Sequence, residues 1–256
     1  MKLKFHKYQA TGNDFIVFDG RNQDVPTNGS FTSRICDRRF GIGADGVIII
    51  KDHAEYDFEV LYFNPDGSQS LCGNGTRAAV RFAEKNRLFS GNSTIFMAYD
   101  GLHEAHLLPE GRIKLKMNDV HSVRYLEDGM FIDTGSPHLV CFVDKVDKEN
   151  VLENGRKLRY ETPIEGGTNV NFVELIGKNE LKIRTYERGV EQETLSCGTG
   201  VTASAIAAAI KEVKSPVKLN ARGGTLEVHY EGNEKSGFNN IYLIGPAEEV
   251  FEGFLP

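Results

Sequence analysis

The sequence predicts an α+β protein built from two related halves, and three observations support this prediction. A Cys-Gly-x-Gly motif occurs twice, at Cys72 and at Cys197, and the two cysteines lie about half a chain length apart. Each motif runs directly into a small-residue segment typical of a helix. Runs rich in β-branched and aromatic residues fill much of the remaining chain, as expected for strands. The order of strands, motif and helix therefore repeats, which indicates an internal duplication.

The predicted strands are short runs bounded by turn-forming residues. They include FEVLYFN from Phe58, STIFMAY from Ser93, GMFIDTG from Gly129 and NVNFVELI from Asn169. Two longer segments each predict a β-hairpin, because strand-like residues flank a central turn. These segments are LHEAHLLPEGRIKLKM and NFVELIGKNELKIRTY.

Only two stretches have the character of a long helix. They are TRAAVRFAEKNRL after Gly75 and VTASAIAAAIKEV after Gly200. The second is apolar on nearly every side, which predicts a helix buried on most of its faces. We expect one half at residues 1–117, which carries Cys72, and the other at residues 118–247, which carries Cys197.

Composition excludes several classes of protein. The 256 residues are 40% hydrophobic and 26% charged with a net charge of −6, so no basic surplus favours nucleic acid or a membrane surface. No apolar run is long enough to span a bilayer, and the first residues contain no apolar stretch typical of a secretory signal, so we expect none. The 4 cysteines form no Cys-x-x-Cys pair, which argues against a disulfide framework and a zinc site. We therefore expect a cytoplasmic protein with reduced thiols and no metal.

A Cys-Gly-x-Gly motif at the start of a helix has a definite chemistry. The first turn of a helix offers unpaired backbone N–H groups and the positive end of the helix dipole. Glycine allows a carboxylate or phosphate to approach these groups. A cysteine at the same end has a stabilised thiolate and a lowered pKa. For one copy alone, an inert buried cysteine beside helix-opening glycines is an equally simple interpretation.

Two copies favour catalysis. If the halves face each other, a carboxylate bound at the helix ends has its α-carbon between two sulfurs. One thiolate can remove the α-proton while the opposite thiol donates a proton from the other face. The backbone N–H groups would stabilise the enediolate-like charge. The motifs therefore predict a racemase or epimerase that needs neither metal nor cofactor.

The residues around both motifs resemble the diaminopimelate epimerase family. The resemblance is carried by NPDGSQSLCGNGTRA and ERGVEQETLSCGTG, and it extends to TGNDFIVFD, RRFGIGADGVI, GSPHLV, TNVNFVE and GPAEEVFEG. Members of this pyridoxal-independent family interconvert LL- and meso-diaminopimelate in lysine and peptidoglycan precursor biosynthesis. The resemblance implies two pseudo-symmetric domains, each a mostly antiparallel or mixed β-sheet wrapped around a central helix. It also implies a homodimer, and the return of residues 248–256 to the first domain.

Matching positions carry the family's site residues over to this chain. Cys72 and Cys197 would be the acid/base pair, and Gly73, Asn74, Gly198 and Thr199 would hold the reacting carboxylate from the helix ends. The distal end of the amino acid would be bound by Asn13, Asn64, Asn169 and Arg188, while Glu187 would meet the distal ammonium or tune a thiol. His138 corresponds to a histidine that assists the cysteines. Ser136 departs from the family's usual Gly-Asn-Pro-His, which makes distal recognition less secure than the chemistry.

Other interpretations stay open at this point. A racemase for another amino acid would use the same cysteines with different distal residues, and a non-catalytic amino-acid-binding protein would need neither cysteine. A proline racemase would leave Arg188 and the asparagines without a use. Asn13 suits a turn and Asn64 suits the end of a strand before Pro65. Arg188 suits a solvated strand end, and His138 suits a structural role behind Pro137.

The GIGADG segment at residues 41–46 matches a dinucleotide-binding pattern, but its surroundings do not. That pattern must follow a strand and open a helix. Here it follows a helix-like segment and precedes a strand, so we interpret its glycines as turn or packing residues. Cys36 and Cys141 lie in apolar surroundings without a glycine turn, which predicts ordinary buried thiols.

Overall fold

The computed structural model describes residues 2–70 and 72–255, which divide into two compact units. The first unit comprises Met1–Leu115 together with Gly245–Pro256, and the second comprises Lys116–Ile244. In the described part of the chain, no helix has both the length and the apolar character needed to cross a membrane.

The described residues of the first unit form eight strands and two helices. Its elements are β1 (Leu3–Ala10), β2 (Asn13–Asp19), α1 (Gly29–Cys36), β3 (Gly46–Lys51), β4 (Glu59–Phe63), α2 (Gly73–Lys85), β5 (Ser93–Ala98), β6 (Gly101–Leu107), β7 (Ile113–Lys116) and β17 (Glu248–Leu255). The sheet order is β17-β1-β2-β3-β4-β5-β6-β7. Two pairings, β2 with β3 and β4 with β5, are parallel, and the other five are antiparallel.

The second unit adds nine strands, two α-helices and a 3₁₀ turn. Its elements are β8 (Arg124–Leu126), β9 (Gly129–Asp133), β10 (Pro137–Phe142), the 3₁₀ turn (Val146–Lys148), α3 (Val151–Glu161), β11 (Asn169–Gly177), β12 (Glu180–Glu187), β13 (Gln192–Thr194), α4 (Gly198–Ile210), β14 (Val217–Ala221), β15 (Gly224–Asn233) and β16 (Gly237–Gly245). The main sheet order is β8-β9-β10-β11-β12-β14-β15-β16, with β13 as a short hairpin partner of β12.

The strand directions of the two sheets match position by position. Read from β8, the second sheet also has two antiparallel pairings, one parallel, one antiparallel, one parallel and two antiparallel. The short β12–β13 hairpin has a counterpart in the isolated bridge between Phe63 and Gln69, which also comes just before a motif cysteine. This equivalence supports the duplication that the repeated motif predicts.

A central helix lies against each sheet, as expected. Helix α2 packs on β1, β2, β3, β4 and β17, and α4 packs on β9, β10, β11, β14 and β15. Helix α4 is buried from Gly198 to Ala208, which confirms the prediction from its apolar sequence. The hydroxyls of Thr202 and Ser204 donate to the carbonyls of Gly198 and Gly200, so these two buried polar groups are satisfied within the helix.

The prediction of only two long helices is wrong, because α3 spans 11 residues. This helix is hard to detect because it buries only Val151 and Gly155 on its apolar side. Gly155 is needed there, since a Cβ atom would lie 2.4 Å from the Cβ of Tyr186. The start of α3 is marked by Asn150, whose amide donates to Glu153 at 2.7 Å while its oxygen accepts from the Glu153 backbone.

The local predictions from turns and strands are confirmed. Both hairpins form, as β6–β7 and β11–β12, and the four strand-like runs become β4, β5, β9 and β11. The GIGADG segment lies between α1 and β3 rather than between a strand and a helix. Gly43 there has φ of 80°, a backbone conformation that favours glycine.

Candidate active site

Cys72 is the N-cap residue of α2 and lies at the centre of a polar cluster. Its extended backbone (φ −132°, ψ 101°) directs Sγ back over the first turn, where it accepts from the N–H of Gly75 at 3.4 Å. The thiol of Cys72 also donates to Oδ1 of Asn13, at 3.7 Å. We call Asn13, Cys72, Asn74 and Arg77 the Cys72 cluster. The Gly75 N–H and the helix start favour a thiolate, whereas the contact with Asn13 Oδ1 is made by the protonated thiol.

Asn13 holds the Cys72 cluster from β2. Its Oδ1 accepts from Nδ2 of Asn74 at 3.3 Å, and its own Nδ2 donates to Asp45. Asp45 pairs in turn with Arg38. Burial and the neighbouring Asp14 raise the pKa of Asp45 above its ordinary value. Asn13 is therefore fixed against the cysteine itself, a position that its sequence motif did not indicate.

Arg77 completes the Cys72 cluster and was not predicted from the sequence. Its side chain is fully buried and donates to Gly73 O at 3.3 Å, Asn74 Oδ1 at 2.9 Å, Thr11 Oγ1 at 3.4 Å and Pro246 O at 3.5 Å. Burial lowers the pKa of Arg77 to about 10, and Cys72 opposes this change. The guanidinium therefore carries a positive charge at neutral pH, within the first turns of α2.

Asn64 organises the loop that leads to Cys72. Its Nδ2 donates to Ser68 Oγ at 3.0 Å and to Ser70 Oγ at 3.1 Å, and its N–H donates to Ser68 O at 2.8 Å. Asn64 directly follows β4, so the structure agrees with the interpretation of this residue as a strand end before Pro65. A contact with substrate stays a prediction for this residue.

Cys197 is the N-cap residue of α4, in the position that corresponds to Cys72. Its side chain is buried, and Sγ lies 3.4 Å from Oγ1 of Thr199. The same Oγ1 lies 2.9 Å from Nε2 of His138, whose Nδ1 is 3.1 Å from Nδ2 of Asn171. We call His138, Asn171, Cys197 and Thr199 the Cys197 cluster.

Hydrogen-bond chemistry orients the Cys197 cluster in one direction. The Asn171 amide nitrogen can only donate, and its Oδ1 accepts from Thr185 Oγ1 at 3.0 Å. His138 must therefore accept at Nδ1 and donate from Nε2–H to Thr199. The Thr199 hydroxyl can then either donate its own hydrogen to Cys197 or accept the S–H with its second lone pair. His138 thus reaches the cysteine through Thr199 rather than directly.

The second glycine of the Cys197 motif, Gly200, is required for helix packing. A Cβ atom at Gly200 would lie 2.4 Å from Oδ1 of Asn171 and 3.2 Å from Cε1 of His138. Only glycine lets α4 approach β10 and β11 closely enough to form the Cys197 cluster. The second glycine of the motif therefore serves helix packing, in addition to any role in ligand approach.

His138 is a neutral imidazole in the folded chain. Its side chain is fully buried, and burial together with the charge of Arg188 lowers the pKa of His138 to about 3. A protonated His138 could not accept from Asn171. We therefore infer that this residue transmits orientation through hydrogen bonds and does not itself carry the proton.

This pKa predicts how stability depends on pH. Because the folded pKa of His138 lies below the ordinary value of 6.5, the unfolded chain binds the proton first as pH falls. The contribution of neutral His138 to the free energy of unfolding is fully present above pH ~6.5. As the pH falls toward ~3, this contribution decreases by roughly 1.4 kcal/mol per pH unit. Between pH 7 and 5, urea unfolding should show the wild type losing about 2 kcal/mol relative to His138→Gln. His121 is exposed, and the wild type should lose no such stability relative to His121→Gln over the same pH range. If the free energy of unfolding depended equally on pH in all three proteins, a buried neutral His138 would be contradicted.

Asn169 connects Ser136 with Arg188. Its Nδ2 donates to Ser136 Oγ at 3.0 Å and to Pro137 O at 2.8 Å, and its Oδ1 accepts from the Arg188 N–H at 2.9 Å. Both amide hydrogens of Asn169 are used within the protein. Asn169 therefore positions Ser136 and the Arg188 backbone, which sequence reasoning had not suggested.

The Arg188 guanidinium is a half-buried cation that pairs with no carboxylate within residues 2–70 and 72–255. The side chain is half-buried, and no hydrogen bond or ion pair of its guanidinium occurs with any described residue. Glu187, just before it, ends β12 and faces Gln192 across the β13 hairpin. A half-buried arginine without a carboxylate partner is suited to bind a carboxylate from solution.

Asn171 was also missed, although a signal for it exists. In TNVNFVE, Asn169 and Asn171 are two positions apart in a strand, so both side chains lie on the same face of β11. Two buried amides on one strand face indicate a polar network rather than a core.

Cys36 and Cys141 are ordinary buried thiols, as predicted. Burial raises the pKa of Cys36 to about 11 and that of Cys141 to about 12. Both side chains are buried among apolar neighbours in hydrophobic clusters of their units. Neither thiol is therefore available as a thiolate at neutral pH.

Comparison with known proteins assigns the chain to a family. The family model of diaminopimelate epimerase matches residues 5–123 and 130–250. The chain belongs to the diaminopimelate epimerase family. Within this family, the diaminopimelate epimerase of Flavobacterium psychrophilum is 47% identical over 255 residues, covering 98% of this chain and 99% of that protein. The Aquifex aeolicus diaminopimelate epimerase is 38% identical over 278 residues, covering 99% and 98%.

Solved structures agree on the fold of this diaminopimelate epimerase family member. A Bacillus anthracis phenazine biosynthesis protein of the PhzF family superposes with a TM-score of 0.77 at 16% identity, covering 100% of this chain and 99% of that one. A hydroxyproline epimerase from Agrobacterium vitis, solved with trans-4-hydroxy-L-proline, gives a TM-score of 0.71 at 14% identity, covering 99% and 92%. These likenesses confirm the predicted α+β architecture.

Proposed function

We propose that this chain is an epimerase that interconverts LL- and meso-diaminopimelate, a step of lysine and peptidoglycan precursor biosynthesis. The observation that carries the proposal is the pair of cysteines at equivalent helix starts in two units of matching topology. Membership of the diaminopimelate epimerase family supports the choice of substrate.

The proposed chemistry is a two-base proton transfer. The thiolate of one cysteine removes the α-proton, the C–H electron pair moves into an enediolate, and the other cysteine's S–H protonates the opposite face. One proton is taken up and one is delivered, so the enzyme ends with thiol and thiolate exchanged between Cys72 and Cys197. The proposed reaction requires no metal and no pyridoxal cofactor.

The two helix starts would bind the reacting carboxylate. Backbone N–H groups of the first turns of α2 and α4 have no partner within their helices, and they belong to Gly73, Asn74, Gly198 and Thr199. Negative charge moves onto this carboxylate as the α-proton leaves. N–H groups and helix dipoles fixed in advance stabilise that charge in the transition state.

The distal end of diaminopimelate carries a second carboxylate and ammonium. We propose that Arg188 binds the distal carboxylate, since its guanidinium meets no described acceptor. Asn169 would act by positioning Arg188 and Ser136. Asn13, Asn64 and Glu187 complete the proposed substrate contacts, with the Glu187 carboxylate suited to an ammonium group.

The proposal is tested by solvent exchange. In D₂O, without added metal or pyridoxal phosphate, LL-diaminopimelate should gain deuterium at the α-carbon and equilibrate with the meso form, as followed by NMR. L-Lysine, which lacks only the distal carboxylate, is the matched control and should exchange far more slowly. Faster turnover of another amino acid would transfer the assignment to a racemase of different specificity. Binding without exchange would indicate a non-catalytic amino-acid-binding protein.

We further propose a cytoplasmic homodimer, as the family resemblance implies. In the first unit, β17 pairs only with β1 among the described strands and exposes Val250, Phe251 and Phe254. An exposed apolar edge strand is suited to cover by a second copy of the chain. Sedimentation at micromolar concentration should give twice the mass of one chain, and a monomer would contradict this.

A further inference from the structure

Arg77 is an unusual buried cation. Its side chain is fully buried, yet none of the described residues forms an ion pair with it. Its four acceptors are two backbone carbonyls, one amide oxygen and one hydroxyl, all of them neutral. Buried charges in proteins are normally paired with an opposite charge.

The Cys72 thiol can supply a negative charge close to Arg77, because Cys72 begins the same helix and Arg77 donates to the carbonyl of the next residue, Gly73. Among ionisable groups, Cys72 alone raises the pKa of Arg77 against the effect of burial. The influence is mutual, because a fixed positive charge favours the thiolate over the thiol. Arg77 also donates to Asn74 and to the Gly73 carbonyl, so its charge is held directly behind the turn that carries Cys72.

The other ionisable groups on α2 and on the segments packed around it have partners of their own. They are Lys7 with Asp14, His6, Tyr8 and Lys85 with Glu249, Arg81 with Glu84, Asp45 with Arg38, and Tyr62, whose hydroxyl donates to the Asp45 carbonyl. Asp45, which reaches Cys72 through Asn13, would oppose a thiolate, but Arg38 compensates its charge. Arg77 is thus the positive charge that the fold directs to this cysteine.

The duplicated helix lacks this feature. Arg77 is the fifth residue after Cys72, and the fifth residue after Cys197 is Thr202, whose hydroxyl donates to Gly198 O at 3.0 Å. The groups that orient Cys197 in its own cluster, Thr199 and His138, are neutral. The two units therefore present the same motif with different electrostatics.

We propose that Arg77 is a positioning residue that places the negative charge of the resting enzyme on Cys72, so that Cys72 is the base and Cys197 the acid of the free enzyme. This inference rests on the proposed two-cysteine mechanism and adds to it which cysteine is deprotonated before substrate binds. One isomer of the substrate then meets the resting protonation state, and the other requires thiol and thiolate to exchange first.

The test is site-resolved alkylation of the whole protein by iodoacetamide across pH, with peptide mass spectrometry. In the wild type, the pH midpoint of Cys72 labelling should lie below the ordinary thiol value of about 8.5. In Arg77→Met, the midpoint of Cys72 should rise by about one pH unit, lowering its labelling rate at pH 7 roughly five- to ten-fold. Arg77→Lys, which keeps the charge, should restore part of this reactivity. Circular dichroism establishes whether each variant is folded.

Arg81→Met is the matched control. Arg81 lies one turn further along α2 and donates to the carbonyl of Ala247, next to the Pro246 carbonyl that Arg77 contacts. Unlike Arg77, it forms an ion pair, with Glu84. Its loss should leave Cys72 labelling unchanged, and the Cys197 profile should be unchanged in every variant. A Cys72 midpoint at or above the ordinary thiol value in the wild type would overturn the proposal without any variant. So would a folded Arg77→Met protein with an unchanged Cys72 profile.

Kinetics separate this proposal from the assigned reaction. If Arg77 sets the charge on Cys72, the acidic limb of the kcat/KM profile should move to higher pH in Arg77→Met for at least one isomer. A wild type that fails to exchange diaminopimelate but shows the predicted alkylation profiles contradicts the function alone. Normal epimerisation with unchanged alkylation in Arg77→Met contradicts the Arg77 role alone.

Discussion

Replacing Cys72 or Cys197 by alanine should abolish epimerisation in both directions. Each face of the α-carbon has one proton carrier in the proposed mechanism, so losing either carrier stops inversion. Positioned acid/base groups contribute about 10²- to 10⁴-fold each, and we expect at least a ~10³-fold loss of kcat for each variant. Coupled measurement of the LL- to meso- and meso- to LL-reactions by chiral chromatography checks this.

The other two cysteines provide the control for these variants. Cys36→Ala and Cys141→Ala should keep near-normal kcat, because both thiols are buried and have raised pKa values. All four alanine variants should stay folded, with a cost in stability on the order of 1 kcal/mol. Retained epimerisation in either motif variant would remove that cysteine from the mechanism.

Replacing Arg188 by alanine should lower kcat/KM for diaminopimelate by roughly 30- to 1000-fold. The loss of a charged hydrogen-bonding partner at a desolvated site costs about 2–4 kcal/mol. Part of the loss should appear in kcat, because binding at the distal end also orients the α-carbon. Initial rates over a range of substrate concentration separate the two contributions.

Two further variants refine the Arg188 prediction. Arg188→Lys keeps the charge without the planar fork and should recover part of the activity. Arg222→Ala removes an exposed guanidinium of the same unit that pairs with Glu193, and it should leave kcat/KM unchanged. An Arg188→Ala enzyme with normal kcat/KM would show that distal recognition lies elsewhere.

The local parts of the fold could be predicted from the sequence because their signals are local. Turn residues mark both hairpins, and the apolar composition of α4 indicates its burial. The pairing of β2 with β3 and of β10 with β11 could not be read in this way, since parallel neighbours are set by packing of distant segments. Helix α3 was missed because little of its surface is apolar.

The site likewise contains residues that the sequence predicts and residues that only the structure reveals. The motif cysteines are visible in the sequence because glycine and cysteine at a helix start have a recognisable chemistry. Arg77 looks like a surface residue of a helix, and only its burial among neutral acceptors reveals a charge behind Cys72. The spacing of Asn169 and Asn171 places both on one face of β11, but their partners Ser136, His138 and Thr185 lie on distant segments and cannot be identified from a single sequence.

The position of β17 has a consequence for biosynthesis. The second unit is one continuous segment of the chain, whereas the first unit is made of two. Its strand β17 is synthesised only after the entire second unit. Until then, β1 has an open edge from Leu3 to Gln9, the residues that later pair with β17. The unit that is translated first is therefore completed second, and the nascent chain carries an exposed edge strand, open to pairing with other chains, for most of its synthesis.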